Sequence, residues 1–245
     1  MLIYVKLGKW WLTERFWMSQ TEHVFEKEIR KKISLKYLLF LPKGYKEKPD
    51  AKWPTILFLH GMGERGDNLE LVKKHGIPKI VEKKEDFPFI AISPQCPLTS
   101  VWPTMTEELH ALLVDAVQRY NVDETRIYLT GLSMGGYGTW HLAVDYPDLF
   151  AAVVPICGGM AHDGGILEEI KVLKDMPIWI FHGEKDEAVP VKNSKELYDA
   201  LKKLGGNVKL TIYPELGHDS WTTTYDNPNL YKWLLKQKHK TKKHA

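Results

Sequence analysis

One serine sits between glycines spaced two residues before and two after it, in the run Gly131-Leu-Ser133-Met-Gly135-Gly136. That spacing lets a strand and a helix approach closely while the serine occupies a strained turn, its oxygen clear of the sheet edge. The context fits, because Arg126–Thr130 reads as a strand and a helix begins near Met134. A serine hydroxyl is a weak nucleophile until a neutral imidazole takes its proton and an acid fixes the imidazole tautomer. Two partners are therefore sought downstream, in the order acid then histidine. Amides at the head of the helix suit an oxyanion, so the N–H of Met134 is one expected donor.

His218, in Glu215-Leu-Gly-His-Asp-Ser-Trp221, follows the late strand Val208–Ile212 and is the expected base. His60 and His110 precede the serine, His162 precedes the acid, and His239 and His244 lie in the tail. His141 belongs to the helix after the serine, and His182 ends a strand, where packing suffices to explain it. For the acid, Ile178–Phe181 runs into His182-Gly-Glu-Lys-Asp186-Glu187. Asp186 is chosen, with Glu184 and Glu187 as local rivals. A second oxyanion amide should come from a loop after an earlier strand. His60-Gly-Met-Gly-Glu-Arg-Gly-Asp-Asn68 follows Thr55–Leu59, which makes Met62 the expected donor and gives His60 a structural role in that loop. Arg65 and Asp67 are expected to pair across it.

These residues need a scaffold, and the pattern supplies one. Short apolar runs (Lys36–Leu41, Thr55–Leu59, Phe89–Ile92, Phe150–Ile156, Ile178–Phe181 and Val208–Ile212) alternate with amphipathic stretches at Thr106–Tyr120, Lys192–Leu204 and Asn229–Gln237. The predicted class is α/β, with a mostly parallel sheet covered by helices on both faces. One catalytic domain is expected over 22–236, with an N-terminal extension at 1–21 and a disordered basic tail at 237–245.

The bulk composition limits the alternatives. The chain has 245 residues, 44% hydrophobic and 27% charged, which describes an ordinary globular protein. Two cysteines far apart indicate neither a disulfide framework nor a thiolate zinc site. No metal and no cofactor are expected, since no H-E-x-x-H motif, Cys/His cluster or nucleotide loop is present. The net charge of +3 owes more than its own value to the five lysines of residues 236–245, so the body is slightly acidic and carries no basic stripe. Nucleic-acid binding is not expected, and no run reaches the length of a membrane span. Residues 1–17 are aromatic but broken by Lys6, Lys9, Glu14 and Arg15, unlike a secretory signal. They read equally as an appended segment before a natural start at Met18 or as a strand or arm. Cytoplasmic placement is the default, and secretion is the alternative if a leader was removed.

Five segments, in order, resemble the α/β-hydrolase superfamily over about residues 35–235. They are Leu59–Asn68, Ser93-Pro-Gln-Cys-Pro97, Gly131–Gly136, Gly183–Asp186 with Val189-Pro190, and Gly217–Trp221. The resemblance is to lid-poor carboxylesterases near the phospholipase/carboxylesterases and the feruloyl or polyhydroxybutyrate-depolymerase-like esterases. It implies an α/β-hydrolase fold with little or no lid, a Ser133–Asp186–His218 triad, and oxyanion amides at Met62 and Met134. It also implies pocket-wall roles for Gln95 and Trp102, and a supporting or lining role for Trp221. The expected partner is a small-molecule ester with a short acyl (acetyl to butyryl) or feruloyl group. A serine peptidase and a noncatalytic binding module on the same scaffold are the alternatives, and the complete residue set argues against the latter.

Overall fold

The structure is a computed structural model that describes residues 5–7, 10–12, 22–160 and 166–239. The chain divides into units at residues 1–32 and 33–245. In the first, β1 (Val5–Leu7) and β2 (Trp10–Leu12) form an antiparallel pair, Val5 opposite Leu12. The boundary falls at 32/33 and not near residue 22. Residues 22–32 have neither strand nor helix, and Val24, Phe25 and Ile29 are exposed, so this stretch has no buried apolar anchor.

The second unit is built on a seven-stranded sheet. Its strands are β3 (Tyr37–Phe40), β4 (Trp53–Leu59), β5 (Ile90–Pro94), β6 (Val122–Leu132), β7 (Ala152–Ile156), β8 (Ile178–Gly183) and β9 (Val208–Tyr213). They lie in the order β3-β5-β4-β6-β7-β8-β9, and every pairing except β3 with β5 is parallel. This is the mostly parallel α/β class that the sequence predicts.

Alternation along β4 explains why both faces are covered. Leu57 and Leu59 face one core layer with Leu109 and Leu113 of α2 (Thr106–Arg119), Trp140 and Leu142 of α3 (Met134–Asp145), and Leu197 and Leu201 of α5 (Val191–Lys203). The short α4 (Ile166–Ile170) adds Ile170 to that layer. Ile56 and Phe58 face the other layer, with Ile77 of α1 (Gly76–Val81), Tyr225 of α6 (Trp221–Asp226) and Leu230 and Leu234 of α7 (Pro228–Leu234). Each such fully buried aliphatic side chain stabilises the fold by about 1.5–3 kcal/mol. The sequence pattern does not reveal α1 and α6, because six residues are too few for a 3.6-residue period to show.

The path of the chain sets the location of the site. After β4 it moves outward to β5, then returns to place β6 on the opposite side of β4. Such a switch point opens a crevice beyond the carboxyl ends of the two strands. Leu59 pairs with Gly131, so His60 and Ser133 emerge at that crevice together. At the other end of the sheet, Tyr128 Oη donates to the Gln237 carbonyl (3.0 Å) and His239 N–H to the Thr125 carbonyl (2.8 Å). The first tail residues are thus tied to β6; residues 240–245 lie outside those described. Among the described residues no helix is long and apolar enough to cross a membrane.

Candidate active site

Strand β6 ends at Leu132, helix α3 begins at Met134, and Ser133 between them has φ 52° and ψ −119°. That region is sparsely populated by residues with a Cβ and stores backbone strain. Here the strain is held by the Ser133 N–H donating to the Ile156 carbonyl (3.0 Å) and the Tyr137 N–H donating to the Ser133 carbonyl (3.1 Å). The flanking glycines are required for close approach. A Cβ on Gly135 would stand 2.0 Å from the Leu59 carbonyl oxygen, and one on Gly131 2.8 Å from the same atom.

His218 lies 2.9 Å from Ser133 Oγ through Nε2 and 2.8 Å from Asp186 Oδ2 through Nδ1. A carboxylate can only accept, so Nδ1 carries the proton and Nε2 is free to accept from the serine hydroxyl. The Asp186 side chain is fully buried, and its Oδ1 accepts the Ala188 and Val189 amides at 2.9 and 2.8 Å. Its rival Glu184 instead pairs with Lys195 at the surface. Asp219, next to the base, accepts from the backbone and hydroxyl of Thr222 at the start of α6. The Trp221 ring stands edge-on to His218 at 5.1 Å, supporting the imidazole from one side.

His182 comes closer to this constellation than its place at a strand end suggests. It is fully buried, with Nε2 3.1 Å from Asp186 Oδ2 and 2.9 Å from the Val189 carbonyl, and Nδ1 2.7 Å from Ser194 Oγ. Two acceptors at Nε2 place the proton there, and burial lowers its pKa, keeping the ring neutral. The available signal was its spacing: four residues before Asp186, at the last turn of a strand.

The loop after β4 is fixed from beneath. Cys96 N–H donates to His60 Nε2 (3.0 Å), so Nδ1 carries the proton and donates to the Gly61 carbonyl (2.6 Å). Burial pushes the His60 pKa down to about 4, leaving a neutral structural ring. Gly61 faces the serine: a Cβ there would be 3.8 Å from Ser133 Cβ. Met62 then opens a short 3-10 turn, Met62–Glu64, with its side chain about half exposed. The amides of Met62 and Met134 thus belong to segments that converge on Ser133.

Two expected wall residues are elsewhere. Gln95 is buried, and its Nε2 donates to the carbonyls of Glu64 and Asn68, both at 2.9 Å. Trp102 is fully buried and its Nε1–H donates to the His60 carbonyl (2.9 Å). Both support the loop from behind, because the chain returns after β5 beneath residues 60–68 and needs their donors there. Arg65 likewise donates to the Met62, Leu98 and Ser100 carbonyls, with no ion pair to Asp67 among the described residues. Metal-ligand donor types cluster once among the described residues, at Cys157, Asp186 and His218. The Asp186 and His218 atoms already bond each other, and burial pushes the Cys157 thiol up to about 12, so that thiol stays protonated beside them.

Residues 87–227, which include Ser133, Asp186 and His218, match the family described as Phospholipase/Carboxylesterase. The solved structure of a thermostable esterase is 37% identical, with a TM-score of 0.71 over 83% of this chain and 59% of that one. Acyl-protein thioesterase 1 of Neurospora crassa is 25% identical over 211 residues, 68% of this chain and 80% of the relative. The feruloyl esterase module from Clostridium thermocellum, complexed with sinapinate, shares the α/β-hydrolase fold at 17% identity (TM-score 0.63, covering 87% and 90%). Some relatives are much longer: the chain spans 19% of the acylamino-acid-releasing enzyme of Mus musculus.

Proposed function

Since the chain belongs to the phospholipase/carboxylesterase family of hydrolases, we propose that it is a serine carboxylesterase working through an acyl-enzyme. The observation that carries this reading is the unbroken hydrogen-bonded line from Ser133 Oγ through His218 to the buried Asp186 carboxylate. His218 Nε2 takes the hydroxyl proton as Ser133 Oγ bonds to the ester carbonyl carbon. The amides of Met62 and Met134 hold the resulting oxyanion. His218 then gives the proton to the leaving alcohol as the C–O bond breaks. Water, deprotonated by the same ring, attacks the acyl group and releases the acid and Ser133. Asp186 stays ionised and fixes the tautomer throughout.

The substrates proposed are soluble esters with short acyl groups, acetyl to butyryl, or feruloyl-type groups. The connection between β7 and β8, residues 157–177, is short for a large helical lid, and the solved feruloyl esterase module shares the fold. The thioesterase and the acylamino-acid-releasing enzyme among the relatives mark thioester and amide cleavage as the competing activities.

A fluorophosphonate probe should label the protein at Ser133, and Ser133→Ala should abolish both labelling and turnover, with a loss of about 10⁶-fold. A matched panel of butyryl ester, thioester and amide should rank the ester first by kcat/KM. An unlabelled parent protein, or a thioester or amide ranked first, would overturn the proposal.

A further inference from the structure

His182 is a fully buried imidazole that the acyl-transfer steps leave unused, yet it faces the same oxygen as the base. Asp186 Oδ2 stands 2.8 Å from His218 Nδ1 and 3.1 Å from His182 Nε2. The His182 Nε2–H donates to the Val189 carbonyl at 2.9 Å and presents its positive end to Asp186 Oδ2 beside it. On the opposite edge of the ring, Nδ1 lies 2.7 Å from the hydroxyl of Ser194, buried in the first turn of α5. With Nε2 protonated, Nδ1 is the lone-pair nitrogen and Ser194 donates to it. The tautomer is therefore pinned from both edges. Burial keeps the ring neutral, so it sets a dipole against Asp186 and adds no cation to compete with a His218 imidazolium.

That dipole has a consequence for the reaction, because charges and dipoles act strongly where water is excluded. The Asp186 carboxylate stabilises the imidazolium that forms when His218 takes the Ser133 proton. An N–H dipole at Oδ2 draws off part of the carboxylate's charge and moderates that stabilisation. Without it the base would hold the proton more tightly and give it less readily to the leaving alcohol.

We propose that His182, held by Ser194, is a positioning residue that fixes Asp186 Oδ2 and limits the basicity of His218. This rests on Ser133, His218 and Asp186 acting as the triad of the proposed esterase.

The other titratable groups around this pair stay unchanged when His182 is replaced. Among the described residues they are the Cys157 thiol of β7, Asp219 bonded to Thr222, and His75 beyond the Trp221 ring. Glu64 lies on the loop after β4, and Glu187 is exposed next to Asp186. Glu184 and Glu215 are paired at the surface with Lys195 and Lys185.

The test is the pH profile of kcat/KM for a butyryl ester, measured on the full chain. In His182→Asn the shorter amide withdraws the donor from Oδ2, and the acid limb should move to higher pH by about half a unit. The plateau kcat should fall about tenfold, the size of one lost hydrogen bond to a charged group, with KM little changed. His182→Gln carries an amide N–H near the place of Nε2–H and should return the limb most of the way. A purely structural His182 would lower kcat while the limb stayed fixed, or moved down as the contact between Asp186 and His218 loosened. Either result in His182→Asn would overturn the proposal, as would an equal upward shift in His182→Gln. Should His182→Asn not fold, Ser194→Ala gives the same reading. Loss of the bond to Nδ1 leaves Nε2–H less polarised, so a smaller upward shift is expected and a fixed limb would overturn the proposal. Fluorophosphonate labelling separates the two levels: an unlabelled parent strikes the triad itself, whereas a labelled parent with an unmoved limb in the variants strikes only the role of His182.

Discussion

The dipeptide His-Gly occurs at the carboxyl ends of two strands, His60-Gly61 after β4 and His182-Gly183 at the end of β8, and the two places use it differently. Both imidazoles are buried and held neutral by burial. His60 bonds only backbone, the Gly61 carbonyl and the Cys96 amide, and so fixes the course of a loop whose proposed contribution is an N–H. His182 bonds the Val189 carbonyl and the Ser194 hydroxyl and lies 3.1 Å from Asp186, so it braces a loop whose proposed contribution is a carboxylate. The comparison teaches that a buried histidine at a strand end is a tie, and that the residues after it decide the chemistry.

The largest effect should come from the β8 side. Asp186→Asn keeps the shape but lets the imidazole adopt the wrong tautomer, and kcat on a butyryl ester should fall about 10⁴-fold with KM little changed. Steady-state kinetics checks this, and a loss below tenfold would remove Asp186 from its role.

The β4 side should show itself in stability. The folded-state pKa of His60 is about 4, against about 6.5 when unfolded. The unfolded chain therefore binds the proton first, and the neutral ring's contribution is complete above pH 6.5. It is lost as the pH falls from 6.5 to 4, by about 3 kcal/mol in all. Denaturant titrations across that window should show the decline, and His60→Asn should flatten it while lowering stability at pH 7.

The smallest change is expected from Gln95→Ala, which removes two hydrogen bonds to the carbonyls of Glu64 and Asn68. A stability loss of about 1–3 kcal/mol is expected, with a lower kcat from a looser Met62 amide. An unchanged kcat would show that His60, Trp102 and Arg65 fix the loop without it.

Much of this arrangement was legible in the chain. Glycine spacing announced the Ser133 turn, because only glycine fits where Leu59 passes within contact of Gly131 and Gly135. Strand ends announced Asp186 and His218, because each follows an apolar run that stops at a polar residue. Gln95 and Trp102 were misplaced for the opposite reason. Each bonds a residue about thirty or more positions earlier in the chain, and no local pattern records such a partner.

The sequence by itself determined the α/β class, the order serine, acid, histidine, and the loops that carry them, since turn chemistry and strand or helix period act over a few residues. Only the tertiary structure decided which side chains face Ser133 and which stand behind it. Strand register and the β4/β6 switch point bring distant loops together, and burial then settles what each polar group meets. That is why Gln95 became a support beneath the loop, and why Asp186, one among 31 acidic residues in the chain, is the carboxylate buried against the His218 ring.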